Sequence, residues 1–207
     1  MVVKNQKPEK PGRRVLLFLG QGFEAFEAGA FTDVFGWSRE VGKEPVDMIT
    51  TALHPEIRCT WNLIVRPELS FEQVCVDDFD ALAIPGGFES AGFQQDTADE
   101  RVQQLIKDFH RQKKPIAAIC VAAIPLAKSG ILYGRSATTY DLDDGKWRRQ
   151  LDQAGAIVQD EIMVRDKHII TSTGPSSSLP VAFTLLTMLT SPENTAMVKR
   201  MMREEQL

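Results

Sequence analysis

The stretch Ile116-Ala-Ala-Ile-Cys-Val-Ala-Ala123 decides the fold, because it places Cys120 where a buried strand turns into a helix. Pro115 ends the preceding helix, four apolar residues follow, and Ser129-Gly130 supplies a helix C-terminus. In an α/β sheet this junction lies at the carboxyl edge of the strands, where ligands bind. A helix N-terminus at that edge favours the thiolate form of the cysteine over the thiol.

Cys120 has two interpretations. An arbitrary free cysteine is most often a small, buried core residue. Here the alanines on both sides leave room for a tight, strained turn of the nucleophile-elbow kind, and this favours a functional thiol. Cys120 is therefore the leading candidate for a catalytic nucleophile.

Strands and helices alternate along the chain on both sides of this stretch. Predicted strands cover residues 15–19, 46–50, 79–84, 116–119 and 137–139, with a strand pair at 157–164 and 168–171. Predicted helices cover residues 23–41, 97–114, 121–129, 147–154 and 179–189, with a last helix from Pro192. Residues 51–67 mix short apolar runs with turn formers, which indicates a hairpin on the sheet edge.

This alternation predicts an α/β fold: a single-domain, flavodoxin-like three-layer sandwich whose mainly parallel sheet is covered by helices on both faces. Residues 13–207 are assigned to this domain, and residues 1–12, rich in Lys and Pro, to a loose N-terminal tail. The helix that precedes Cys120 is expected to begin at a capping box, Thr97-Ala-Asp-Glu100.

The composition narrows the possible partners. Of the 207 residues, 43% are hydrophobic and 25% charged, and no apolar run approaches membrane-spanning length, so no membrane partner is expected. A net charge of -4 without a long basic tract argues against nucleic acid. Three cysteines form no CxxC and leave an odd count, which indicates a reducing, cytoplasmic location.

The sequence predicts neither a metal nor a cofactor. No His, Cys and Asp cluster has metal-ligand spacing, and His110 and His168 are expected to be solvated. The segment Gly20-x-Gly22-x-x-Ala25 matches a dinucleotide fingerprint, but Glu24 and Glu27 place negative charge at the helix end that must hold the pyrophosphate. A simpler interpretation of both glutamates is favourable charge in a first helical turn.

Five motifs, in this order, resemble the ThiJ/PfpI superfamily. This superfamily has the class I glutamine-amidotransferase-like fold and includes the parkinsonism-associated protein and glutathione-independent glyoxalases. The resemblance spans roughly residues 15–189. The motifs are Gly22-Phe-Glu-Ala-Phe-Glu27, Ile84-Pro-Gly-Gly87, Ala117-Ala-Ile-Cys120, Gly134-Arg-Ser-Ala-Thr-Thr139 and Ile170-Thr-Ser-Thr-Gly-Pro175.

The resemblance implies a set of site residues. Cys120 matches the family nucleophile, Glu27 its carboxylic partner, and the amides of Gly87 and Val121 an oxyanion hole. The remaining candidates for the pocket are Gly86, Tyr140 and Pro175.

The sequence departs from the family pattern in two places. Val121 follows the cysteine where members read as proteases have histidine, so peptidase activity is not expected. Tyr140 stands where similar glyoxalase-like members place a histidine, and a phenol with a pKa of about 10 does not accept a proton at neutral pH as imidazole does. Glutaminase activity is not expected either, because His168-Ile-Ile170 does not supply the required His-x-Glu.

These observations predict a cysteine-dependent enzyme that acts on small carbonyl or related electrophilic compounds, glyoxalase/deglycase-like or hydrolase/hydratase-like. The alternative is a non-catalytic, redox-responsive stress protein that senses oxidants through Cys120. A third possibility is a degenerate site on a protein that only interacts with others. A homodimer is expected through the first helix and residues 51–67, with Phe31, Trp61 and Ile64 at the interface.

Overall fold

A seven-stranded sheet forms the centre of the protein, for which a computed structural model describes residues 12–204. The loose tail predicted for residues 1–12 lies, except for Gly12, outside the described residues. No helix within the described range is long and apolar enough to cross a membrane.

The strands and helices are numbered here in chain order. The strands are β1 (Arg13–Phe18), β2 (Val46–Ala52), β3 (Ile57–Arg58), β4 (Ile64–Val65), β5 (Leu69–Ser70), β6 (Ala81–Ile84), β7 (Ile116–Ile119), β8 (Ser136–Ala137), β9 (Ile157–Val158), β10 (Met163–Asp166) and β11 (Ile169–Ser172). The helices are α1 (Ala25–Val41), α2 (Phe93–Thr97), α3 (Glu100–Arg111), α4 (Ala123–Lys128), α5 (Lys146–Gln153), α6 (Ser178–Leu189) and α7 (Pro192–Met201).

The central sheet has the strand order β10-β11-β7-β6-β1-β2-β5. Every neighbouring pair is parallel except β10 and β11, which are antiparallel. The strand pair predicted at residues 157–164 and 168–171 is therefore present only from Met163 onward, because β9 pairs with β8 in a separate sheet. The predicted mainly parallel sheet is therefore confirmed. Because β1, β6 and β7 are adjacent, the loops that follow them meet at one edge of the sheet, and this edge carries the candidate site.

Helices cover both faces of the sheet. Val15 and Leu17 of β1 pack with α1, α6 and α7, whereas Leu16 and Phe18 pack with α3, α4 and α5 on the opposite face. This division follows from the strand geometry, which points successive side chains to opposite sides. The predicted three-layer sandwich is confirmed.

The predicted capping box at Thr97 is wrong. Helix α3 begins at Glu100 with Asp99 as its N-cap, and the Asp99 carboxylate accepts a 2.8 Å hydrogen bond from the amide of Arg101. Thr97 belongs to the separate five-residue helix α2, where its hydroxyl donates to the carbonyl of Phe93 at 2.9 Å. The hydroxyl is therefore used inside one helix and does not start the next.

The segment of residues 51–67 contains a hairpin, but this hairpin does not extend the central sheet. Strands β3 and β4 form a separate antiparallel pair, and it is β5 that joins the sheet edge beside β2. The hairpin instead packs against the loop after β1. The amide of Gly22 donates a 2.8 Å hydrogen bond to the carbonyl of Arg58, and the amide of Thr60 donates a 3.0 Å bond to the carbonyl of Phe23. These bonds bring Trp61 to the site.

Two predictions about exposure are wrong. Phe31 is completely buried between α1 and the sheet, so it cannot take part in an interface. His110 and His168 are half-buried and contact each other, with Nε2 of His168 3.0 Å from Nδ1 of His110. Burial is the main cause that lowers the pKa of each imidazole. The sequence offered no sign of this contact because the two residues lie on different elements.

Candidate active site

Cys120 lies in a strained turn at the end of β7. Its φ angle is 58°, in the left-handed region that residues with a Cβ rarely adopt. The residues Cys120–Ala122 form a 3₁₀ turn that leads directly into α4. The small neighbouring alanines leave room for this turn, so the predicted strand-to-helix elbow is present.

The thiol of Cys120 is held mainly by backbone groups. The amide of Val121 donates a hydrogen bond to the sulfur, and the carbonyl of Cys120 accepts a 2.9 Å bond from the hydroxyl of Thr139. Burial raises the pKa of the Cys120 thiol, the charge of Glu27 raises it further, and the amide of Val121 only partly opposes them. The prediction that a helix N-terminus favours the thiolate is therefore wrong: α4 has six residues, and burial outweighs its dipole.

Glu27 lies next to Cys120 and is completely buried. Its Oε2 accepts a 2.5 Å hydrogen bond from the amide of Gly86, and its Oε1 has no hydrogen-bond partner among the described residues. Burial raises the pKa of Glu27 from 4.5 to about 8, a shift that the Gly86 bond reduces and the charge of Glu24 reinforces. Glu27 is thus protonated at neutral pH, as expected of a carboxylic partner of Cys120, and the simpler interpretation of a first-turn charge does not apply to it.

Cys120 and Glu27 titrate as a pair. The negative charge of Glu27 raises the pKa of Cys120, whereas the hydrogen bond with Cys120 lowers that of Glu27, so the carboxyl group ionises before the thiol and both are not ionised near neutral pH. The pair is neutral at pH 7 and loses its first proton near pH 8. The remaining proton is then held by the thiol, next to the carboxylate of Glu27.

The loop after β6 requires glycine at two positions. A Cβ on Gly86 would lie 2.7 Å from the Cβ of Cys120 and 2.9 Å from Oε2 of Glu27. A Cβ on Gly87 would lie 2.5 Å from the carbonyl oxygen of Gly22. All three distances are too short for a real Cβ, so only glycine lets the backbone approach Cys120 at position 86 and the loop after β1 at position 87.

Two amides are placed to bind a developing oxyanion. The amide of Val121 already donates to the sulfur, and the amide of Gly87 has no acceptor among the described residues. Gly87 forms an antiparallel bridge with Phe23, but its own amide takes no part in the hydrogen bonds of that bridge. Those bonds run from the amide of Glu24 to the carbonyl of Gly86 and from the amide of Phe88 to the carbonyl of Gly22. Both Gly87 and Val121 line the cavity in front of the cysteine.

That cavity has a volume of about 680 Å³. Of the pocket residues predicted from the sequence, Tyr140 and Pro175 line the cavity, whereas Gly86 is not among its lining residues. Sequence reasoning did not place five further lining residues there: Glu24, Trp61, Phe88, Glu89 and Trp147. These residues come from separate segments, and no local pattern in the sequence connects them. Within residues 12–204, no cluster of three or more His, Cys, Asp or Glu side chains is arranged to hold a metal ion.

The chain is similar to several known proteins. Residues 13–188 match the DJ-1/PfpI family. The Parkinson disease protein 7 homolog of Danio rerio is 29% identical over 199 residues, which cover 91% of this chain and 95% of that protein. General stress protein 18 of Bacillus subtilis is 38% identical over 112 residues, 54% of this chain and 61% of that protein. The crystal structure of Drosophila melanogaster DJ-1beta superimposes with a TM-score of 0.81 at 25% identity, covering 92% of this chain and 97% of that one.

Proposed function

This chain belongs to the DJ-1/PfpI family, and on that premise we propose that it is a cysteine-dependent enzyme acting on small carbonyl or related electrophilic compounds. One observation carries the proposal. The sulfur of Cys120 sits in a strained turn at the wall of a 680 Å³ cavity, with the protonated Glu27 beside it. Strain of this kind persists where the surrounding structure holds a side chain in place for function.

The reactive form is the pair with one proton removed. In that form the carboxylate of Glu27 takes the proton of the Cys120 thiol. The resulting thiolate attacks the carbonyl carbon, a carbon–sulfur bond forms, and the π electrons of the carbonyl move onto its oxygen. The amides of Gly87 and Val121 stabilise this oxyanion. Glu27 then donates its proton to the oxygen and becomes a carboxylate, which is placed to take a proton back in a later step.

Product detection from a panel of dicarbonyls, isonitriles and amides tests this function, with the wild type beside Cys120→Ser. Turnover of at least one compound that disappears in the variant is the expected result. No turnover by the wild type across the whole panel would overturn the proposal.

A second candidate function is redox sensing through the same thiol. The amide of Val121 and the protonated carboxyl of Glu27 are hydrogen-bond donors beside the sulfur, and a sulfinic acid at Cys120 would accept from both. A relative named a general stress protein supports this alternative. Sensing predicts stoichiometric oxidation of Cys120 by peroxide without turnover of any compound in the panel.

We also propose that the protein is a cytoplasmic homodimer. Large apolar side chains are exposed on α1 and the hairpin, namely Phe26 at 58%, Trp61 at 62%, Leu63 at 61% and Ile64 at 49%. Exposed apolar surface of this kind marks an interface, and a second copy of the chain is its proposed partner. The free thiols of Cys59, Cys75 and Cys120 suit a reducing compartment.

A further inference from the structure

The cavity contains a second buried carboxylate, that of Glu24. This residue is only 7% exposed, and it precedes α1 as its N-cap. The indole N–H of Trp61 lies 2.9 Å from Oε1 and 3.1 Å from Oε2, and the amide of Phe26 is 3.5 Å from Oε1. No Lys, Arg or His of the described part of the chain forms an ion pair with it. A buried carboxylate without a cation is costly, so the site favours a positively charged occupant.

The other residues that line the cavity also favour a positively charged occupant. Four aromatic residues line it, Trp61, Phe88, Tyr140 and Trp147, and the rings of Trp61 and Phe88 meet edge to face with centroids 5.7 Å apart. No basic side chain is among the lining residues that the structure describes. Aromatic faces attract organic cations, and most strongly when a carboxylate is nearby.

One of these aromatic rings already contacts a cation of the protein. The ammonium group of Lys146 lies 4.4 Å from the ring centroid of Trp147 and pairs with Glu89 at 2.5 Å. The charge of Glu89 is thus balanced within the protein, whereas that of Glu24 is not. Glu24 lies beside Trp61 on the wall that also contains the cysteine, and its charge, unlike that of Glu89, has no cation among residues 12–204.

We propose that this cavity selects electrophiles that carry a cationic group, such as an ammonium or quaternary ammonium group, and rejects anionic ones. Glu24 and the face of Trp61 bind the cation while the electrophilic atom meets Cys120. This inference rests on the proposed function, because it takes the sulfur of Cys120 as the reacting atom. Carbonyl compounds that bear an amine are then better substrates than those that bear a carboxylate or a phosphate.

The test compares two reagents that differ only in charge. They are methanethiosulfonates that carry a trimethylammonium group or a sulfonate group, and the uncharged methyl reagent reports access to the thiol. In each reaction the sulfur of Cys120 forms a disulfide with the reagent's sulfur and methanesulfinate leaves. Mass spectrometry of the peptide that contains Cys120 gives the rate for each reagent, and the ratio of the two rates is the measured quantity.

In the wild type we expect the cationic reagent to react at least about tenfold faster than the anionic one, since a unit charge in a partly buried site has an effect of this order. Glu24→Gln keeps an oxygen that accepts from Trp61 but removes the charge, so the ratio should fall about tenfold. Glu40→Gln makes the same change in net charge at an exposed position of α1 and should leave the ratio unchanged. Because each ratio is taken within one protein, a general change in thiol reactivity cancels.

The possible failures are distinguishable. If Cys120 reacts readily with all three reagents and Glu24→Gln leaves the charge ratio unchanged, the cation site is wrong and the reactive cysteine remains. If Glu40→Gln lowers the ratio as much as Glu24→Gln does, the preference comes from net charge and the site is again wrong. If Cys120 reacts with no reagent in the folded protein but does so after denaturation, both proposals are wrong.

Discussion

The amide nitrogen of Gly86 lies 2.5 Å from Oε2 of Glu27. This bond joins the loop after β6 to the first turn of α1, and it holds a buried carboxyl group beside the sulfur of Cys120. The second carboxyl oxygen has no partner among the described residues, so it is the one that can carry and transfer a proton. The chemistry of the site therefore depends on a contact between residues 59 positions apart in sequence.

The stability of the protein should depend on the ionisation of Glu27. The pKa of the folded state, about 8, lies above the ordinary value of 4.5, so the folded state holds the extra proton between these values. The free energy of unfolding should therefore fall as the pH rises from 4.5 to 8, by on the order of 5 kcal/mol from Glu27 alone. Glu27→Gln cannot ionise at this position, so its free energy of unfolding should not fall in this way. In urea denaturation, the stability of Glu27→Gln relative to the wild type should therefore be higher at pH 9 than at pH 5 by this amount. Parallel curves for the two proteins would show that Glu27 is ionised at neutral pH.

The reactivity of Cys120 should follow the same ionisation. Alkylation by iodoacetamide should rise steeply as the pH passes 8, because the pair then loses its first proton. In Glu27→Gln this rise should shift to higher pH, since burial still raises the pKa of the thiol and no carboxylate takes its proton. The exposed Cys75 serves as a control in the same molecule. Full labelling of Cys120 at pH 6 would show that it is a thiolate after all.

Gly86→Ala should damage both the stability and the site. The added Cβ would lie 2.7 Å from that of Cys120 in a buried position, and such overpacking costs about 1–3 kcal/mol. Gly29→Ala is the matched control, because a Cβ there meets nothing within 4 Å and the residue lies inside α1. That change should stabilise the protein by up to about 1 kcal/mol. Chemical denaturation measures both effects, and equal stability of the two variants would contradict the close packing at Gly86.

Tyr140 should limit the turnover of methylglyoxal. It lines the cavity, and the resemblance to glyoxalase-like members of the superfamily implies a histidine at this position; a positioned base contributes about 10²- to 10⁴-fold. Tyr140→His should therefore increase the turnover, whereas Tyr140→Phe removes only the hydroxyl and should leave it low. If turnover by Tyr140→His stays at background while Cys120 remains reactive, the glyoxalase-like assignment is wrong.

The proposed dimer should separate when its apolar surface becomes charged. Trp61→Glu and Ile64→Glu place a carboxylate on the exposed hairpin, and light scattering at micromolar concentration should then report the mass of a monomer. Ile162→Glu is the control, because Ile162 is 66% exposed but precedes β10, the strand at the far edge of the sheet. A monomeric mass for the wild-type protein would contradict the proposed dimer.

Much of the fold was predictable from local patterns. The short apolar runs at β1, β6 and β7 and the apolar stripes of α1, α3 and α6 each predict an element, because the period of the side chains differs between strand and helix. The predictions failed where two local signals competed. Thr97 and Asp99 are both good N-cap residues, and the choice of Asp99 depended on the short helix α2 before it.

By itself, the sequence determined the layered sheet, the turn at Cys120 and the glycine loop beside it, because periodicity, small residues and Pro-Gly-Gly act over a few neighbouring positions. Only the tertiary structure decided the protonation of Glu27, the raised pKa of the Cys120 thiol and the unpaired charge of Glu24. The physical reason is that burial and charge balance depend on the segments that surround a group in space. The hairpin that brings Trp61 to Glu24 across 37 residues is one such segment, and it lies outside the reach of any local pattern.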